Sequence, residues 1–228
     1  MARVFHNIFG NLSGKIGNMS ASIRKGNTIL SARPLSYKIP DDPDSVKRRS
    51  TFLSTVRFAR QVYRLTDLHE AWEKTKDPEI SIYNHIVKTN YQFASPEKPT
   101  IRNIITPGGF ELNIQNIAVF RENFLAEIPA FPEHFGQREH HLNINSVVCF
   151  YSPLNQSDIY YTVINLITEL RDYNWHGLFE LRVDFNSDQK AVLSGYTRAI
   201  LYAAAVTKSC DGSIIQHSTT SVKDVQIQ

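Results

Sequence analysis

The rhythm of hydrophobic and polar positions changes once along this 228-residue chain, at Ser95-Pro96-Glu97-Lys98-Pro99-Thr100. Before that segment apolar residues recur at helical spacing, and after it they alternate. Asp41-Asp42-Pro43-Asp44-Ser45 offers capping side chains and acids for a helix start. The predicted helix runs to about residue 65, with Phe52, Val56, Ala59 and Tyr63 on one inner stripe. Two more follow at roughly 66–76 and 79–94, separated by Asp77-Pro78. Ile80, Tyr83, Ile86, Val87 and Asn90 mark the inner face of the last one.

Past the Pro-rich segment, Phe110, Leu112 and Ile114 alternate with polar neighbours, and so do Leu142, Ile144, Ser146, Val148 and Phe150. Phe179, Leu181, Val183 and Phe185 do the same against Glu180, Arg182 and Asp184. Tyr196 to Val206 reads as a long strand that turns at Lys208–Gly212 and returns through Ile214 and Ile215. With Ile159–Thr168 this makes six or seven strands over some 125 residues, a count that suits an antiparallel, immunoglobulin-like β-sandwich. Residues 118–135, with their prolines and phenylalanines, read as a long connection over the sheet.

Ahead of the helices, Lys15 to Arg33 reads as one basic hairpin turning at Lys25-Gly26-Asn27. It has few large apolar side chains, and an isolated two-stranded hairpin is marginal in water. It must therefore pack on the rest of the chain or pair with a neighbour through its edges. The expected fold is α+β: an N-terminal β-hairpin plus about three helices over residues 1–95, then an antiparallel immunoglobulin-like β-sandwich over 100–228.

Composition changes this picture little. Hydrophobic content of 42% and aromatic content of 11% are those of a folded protein. Two cysteines, Cys149 and Cys210, are too few for a disulfide framework and read as small strand residues. No apolar run is long enough to cross a bilayer, and the opening MARVFHNIFGNLSG lacks the apolar core of a secretory signal.

Charge changes it more. Net charge is +3, but residues 1–64 carry +9 and the rest −6. A basic end of this kind faces nucleic acid, an acidic protein surface, or the acidic end of another copy. Arg49, Arg57, Arg60 and Arg64 fall within an arc of about 80° on the first helix, at 100° per residue. Leu53 lies inside the same stripe, which favours a protein partner over DNA. The partner-binding candidates are Lys15, Arg24, Lys25, Arg33, Arg49, Arg57, Arg60 and Arg64.

Candidate chemistry is sparse. Gly14-Lys15 lacks the glycine spacing of a phosphate loop, and His69-Glu70 has no second histidine to complete a zinc-protease motif. His134, Glu139, His140 and His141 have metal-ligand types but no spacing that completes a site, so they read as a solvated loop. Tyr151, Tyr160, Tyr161, Tyr173 and Trp175 would suit a sugar-binding face, but read better as packing residues. No catalytic residues, metal or cofactor are expected.

The segment GNLSGKIGNMSASIRKGNTILSARP, with the Pro-Asp-capped helix, the Arg48-to-Leu53 spacing and SIYNHIVKTN, resembles an uncharacterised family of Bacteroidetes genomes and their crAss-like tailed phages. Members open with a GxxGKxGN…KGxxxxRxxP signature. The likeness is strong over residues 10–95 and looser beyond, where AILYAAAVTKSCDGSIIQHS is similar to the family's terminal hairpin. Ile29-Leu30-Ser31 is less basic than the pattern. The resemblance implies a non-enzymatic virion structural protein: a tail, connector or ring subunit made in the host cytoplasm. Its partners would be further copies of itself and other virion proteins. Nucleic acid binding through the basic region, or glycan binding by the sandwich, are the alternatives.

Overall fold

The alternating run at 142–150 and the long run at 196–206 become adjacent central strands of one antiparallel sheet. The structure is a computed structural model that describes residues 2–4, 12–24, 26–32, 36, 39–155, 159–171 and 173–228. The chain forms two units, residues 1–43 and 44–228.

In the first unit β1 (Ala2–Val4), β2 (Gly14–Ile16), β3 (Met19–Arg24) and β4 (Asn27–Ala32) pair in the order β1-β4-β3-β2. The expected hairpin is present as β3–β4, with Arg24 opposite Asn27. Its first arm is not continuous, however. Gly17, at φ +55°, and Asn18 turn the chain so that Lys15 pairs back onto Ser20. The result is a small antiparallel sheet that leaves Ile16, Met19 and Ile23 exposed.

The second unit opens with α1 (Pro43–Tyr63), a 3₁₀ turn (Thr66–Leu68), α2 (His69–Thr75) and α3 (Ile82–Tyr91). There follow β5 (Gln115–Val119), β6 (Asn123–Ile128), β7 (His141–Pro153), β8 (Tyr161–Arg171) and β9 (Phe179–Asp184). The last elements are α4 (Ser187–Leu193), β10 (Tyr196–Lys208), β11 (Ile214–His217) and β12 (Ser221–Gln226). β8, β7 and β10 lie side by side, with β11 and β12 sharing the far flank of β10, and β5-β6-β9 make a second sheet.

Parity explains how these layers pack. Leu142, Ile144, Val148 and Phe150 of β7 join Ala199, Leu201, Ala203 and Ala205 of β10 in a core with Phe124, Ile128 and Leu181 of the small sheet and with Phe185 just after it. Val147, Cys149, Ile200, Tyr202 and Ala204, on the opposite face, pack against Phe58, Val62, Leu65, Leu68, Trp72 and Ile86 of the helices. The large sheet is thus covered on both sides, which is why β10 is apolar almost without interruption.

Several expectations change. β5 and β6 occupy much of 118–135, expected to be a connection, whereas Phe110 forms only an isolated bridge to Ser218. β12 and α4 add to the expected elements, and α4 carries a complete capping box between Asn186 and Gln189. On α1 the buried face is Ser54, Thr55, Phe58, Ala59 and Val62, while Phe52 and Tyr63 are 54% and 43% exposed. The phase is displaced because small hydroxyl residues serve as core: the Thr55 hydroxyl returns its hydrogen bond to the Thr51 carbonyl at 2.8 Å.

The boundary expected at 95–100 lies inside the second unit. Residues beyond it are tied to the helices. Asn90 donates to the Ile104 carbonyl and accepts from the Ile104 amide at 3.0 and 2.8 Å, and Trp72 Nε1 donates to the Ile105 carbonyl at 2.9 Å. Tyr202 from the sheet donates to the Thr100 carbonyl at 2.7 Å. The segment is a fastened crossing between layers.

Asp67 makes the other tie. It accepts from Asn143 Nδ2 at 2.7 Å and pairs with Lys208 Nζ at 2.9 Å, joining the 3₁₀ turn to β7 and β10. Burial pushes the Asp67 carboxyl upward, but the hydrogen bonds from Asn143 and Lys208 and the Lys208 charge outweigh it, so it sits below the usual aspartate range. A depressed carboxyl stabilises the fold above its unfolded-state pKa and loses that contribution as pH falls through the folded value. Asp67→Asn is expected to cost about 1–2 kcal/mol at pH 7. Its urea midpoint should also vary less than the wild type's below about pH 4. Parallel acid-range slopes in the two proteins would show that Asp67 does not bear this load.

Candidate partner-binding surface

The displaced phase of α1 decides what its outer face presents. With Phe58 and Val62 turned inward, Arg49, Arg57 and Arg60 of α1 and Arg64 just beyond it are all exposed, and Leu53 stands among them at 50% exposure. The four arginines span about 22 Å of helix axis. Arg64 donates to Gln61 Oε1 at 3.3 Å. The Arg57 guanidinium carbon lies 5.7 Å from the centre of the Tyr161 ring, within cation–π range.

That contact bridges a groove between α1 and the start of β8. Two adjoining hollows of about 350 and 340 Å³ share Leu53, Arg57, Ile159 and Tyr161 in their walls. Arg60 and Val163 line the first, while Glu97 and Tyr160 line the second. Ile159 is 67% exposed. β8 pairs only with β7 among the described residues, so its other edge adjoins this groove. An apolar floor, arginine rims and an open strand edge are the ingredients for receiving an extended acidic segment.

The other candidates separate. Lys15 and Arg24 are exposed on β2 and β3, in the first unit, while the four arginines belong to the second. Lys25 and Arg33 lie outside the described residues. Glu139 is buried and accepts from the Gly136 and Arg138 amides at 3.1 and 3.2 Å and from Gln216 at 3.2 Å, which makes it a loop clasp. Among the described residues no three His, Cys, Asp or Glu side chains are grouped to hold a metal ion. Of the aromatics, Tyr173 and Trp175 are buried in the core toward the small sheet, whereas Tyr151 and Tyr161 are buried toward the helices. They share no face, and only Tyr160 of the five is exposed.

One further polar cluster braces the fold. The Tyr151 hydroxyl donates to Asp224, Arg198 pairs with Asp224 at 3.1 Å, and Lys98 sits 4.2 Å above the Tyr151 ring. Burial first, and then the Asp224 carboxylate, push the Tyr151 hydroxyl above the tyrosine range. These contacts hold Lys98 and β12 against β7. Both cysteines are free; Cys210 is exposed, and burial raises the Cys149 thiol to about 12, so it carries no thiolate near neutral pH.

Ile159 and Glu97 were not among the sequence candidates, and Tyr161 was named only for a sugar-binding face. The strand signal at 159–168 was visible, but nothing in a strand's own sequence says that it ends a sheet beside a helix.

No protein-family model matches the chain, and no curated protein matches it in sequence. Among solved structures it is similar, weakly, to a β-glucosidase from Kluyveromyces marxianus: 12% identity and a TM-score of 0.22 over 59% of this chain and 16% of that one. The glucose complex of that enzyme gives 13% identity and a TM-score of 0.19 over 60% of this chain and 16% of that one. Likenesses of this size carry no argument about fold or function.

Proposed function

We propose that this chain is a non-enzymatic structural subunit of a tailed-phage-like virion, a tail, connector or ring component that assembles through its N-terminal strands. The observation that carries this reading is the separate N-terminal unit: a thin basic sheet with Ile16, Met19 and Ile23 exposed and β2 at its edge. Such a sheet gains most by adding a strand from, or lying against, another subunit. The resemblance to a crAss-like phage family supplies the virion setting, and with it assembly in the host cytoplasm before incorporation. The two facing antiparallel sheets of the second unit support an immunoglobulin-like reading of its β portion, with a helical layer added on one side.

Multi-angle light scattering of the purified chain should give a mass several times 26.1 kDa, with rings or stacks in electron micrographs. A stable monomer that binds no portal or tail component would refute the reading. Exposed arginines along α1 keep nucleic acid as a second reading. It requires DNA affinity that falls steeply with salt and drops when Arg49, Arg57, Arg60 and Arg64 become Ala. Exposed Phe52 and Leu53 in the same face weigh toward protein.

A further inference from the structure

The open edge of β8 poses a problem of its own. It runs for 11 residues, YTVINLITELR, and its only charged residues, Glu169 and Arg171, are at its end. Ile167 is 46% exposed on it. Natural sheets shorten, bulge or charge such an edge when it is to stay single. Along its paired side β8 keeps an unbroken antiparallel register with β7 from Tyr161 to Arg171, so it carries no bulge there.

We propose that β8 pairs antiparallel with β8 of a second copy of this chain, about a twofold axis at Asn165. The large sheet then runs continuously through both bodies. This rests on reading the chain as a self-assembling subunit, and adds a contact distinct from the N-terminal strands.

Charge chooses both the occupant and the register. Side chains directly opposite in an antiparallel pair point to the same face of the sheet. With the axis at Asn165, Tyr161 faces Glu169 of the second copy, Val163 faces its Ile167, and Ile159 faces its Arg171. Tyr161 is where Arg57 lies, 5.7 Å from the ring, with Arg60 in the same hollow. Glu169 of one copy therefore enters the arginine rim of the other. Ile159 shares its hollow with Glu97, which meets the incoming Arg171. Exposed Ile167 is covered against buried Val163. Each of these contacts occurs twice, as an isologous interface requires. Moving the axis by one residue to Leu166 sets Arg171 opposite Tyr161 and drives it against Arg57.

The buried area comes mainly from one strand pair and the two grooves, so the contact belongs at the weak end of protein interfaces. Tethering within a larger assembly raises its occupancy through effective concentration.

The test uses the full chain with Cys210→Ser, so that the exposed native thiol is removed and Cys149 stays buried. Adding Asn165→Cys places two thiols opposite one another at the axis, where Cα atoms lie about 4.5–5.5 Å apart, within disulfide reach. Mild oxidation should convert most of the chain into a covalent dimer on a non-reducing gel. Arg57→Glu or Glu169→Lys should lower the yield by about tenfold, and Arg57→Glu with Glu169→Arg should restore it, since the pair is exchanged across the axis. Circular dichroism confirms that each variant is folded.

Larger oligomers without a cross-link at position 165 would overturn the β8 pairing and leave the assembly reading intact. A cross-linked dimer that forms nothing larger would support the pairing and count against assembly through the N-terminal strands. A monomer with no cross-link refutes both. Hydrogen-exchange protection of β8 that arises only on adding a different virion protein assigns the groove to that protein and overturns the inference.

Discussion

Gly109→Ala should lower stability by about 4 kcal/mol or more, a shift in melting temperature on the order of 10 °C for a chain of this size. The cause is a backbone approach with no room in it. Gly109 sits at φ +124°, and an added Cβ would stand 2.1 Å from the His217 carbonyl oxygen and 2.8 Å from the Ser218 carbonyl carbon. Neither atom belongs to a side chain that can swing away. The Phe110 amide donates to that His217 oxygen at 3.0 Å and the Thr219 amide to the Phe110 carbonyl at 2.7 Å, while Ser218 is bonded to Ala205 of β10 at 2.9 Å. Relief of the clash therefore pulls the 107–110 loop off the sheet. Neighbouring Gly108 has open space at its Cβ position, and Gly108→Ala should stay within about 0.5 kcal/mol of the wild type. Thermal and urea unfolding of the two variants side by side settle the point: equal midpoints would mean that the close approach is absent.

Trp72→Ala should cost about 3–5 kcal/mol. Trp72 is fully buried, meets His85 edge-on at 5.5 Å between ring centres, and donates its indole N–H to the Ile105 carbonyl. Its loss leaves both a cavity and an unpaired buried carbonyl, whereas Trp72→Phe retains most of the volume and should cost less, about 1–3 kcal/mol. The form of the transition matters as much as its midpoint. Because the helices pack on one face of the large sheet and Trp175 belongs to the core on its other face, far-ultraviolet dichroism and Trp175 fluorescence should report one coincident unfolding step in both variants. Helices melting ahead of the sheet would restore a domain boundary near residue 95.

That boundary shows where the amino-acid pattern stops being legible. The helix start at 43 could be read because capping chemistry is local, whereas the last helix, expected from residue 79, begins at Ile82, where Ser81 caps α3 by accepting from the Asn84 amide. The alternation in β7 could be read too, but what covered its polar side could not. Asn143 and Asn145 look like a wetted face; both are buried under the helical layer, and Asn143 donates to Asp67, which is 76 residues away in sequence. A sheet taken to be solvated on one side becomes a free-standing domain, and a fastened crossing becomes a linker. Thr55 misled in the same way, since a hydroxyl residue that satisfies itself within a helix can occupy its core face. For the candidate surface, the arginine stripe was visible because it lies on one helix. Its counterpart on β8 depends on strand order, which only the assembled sheet reveals.

The open flank at β8 also bears on stoichiometry. Twofold pairing there, with its axes perpendicular to the axis of a ring closed through the N-terminal strands, would give a dihedral assembly. The result is two rings face to face, with an even number of chains and no distinct top or bottom. A particle that must present different ends to a capsid and to a tail breaks that equivalence, and would leave β8 of its terminal ring to another protein.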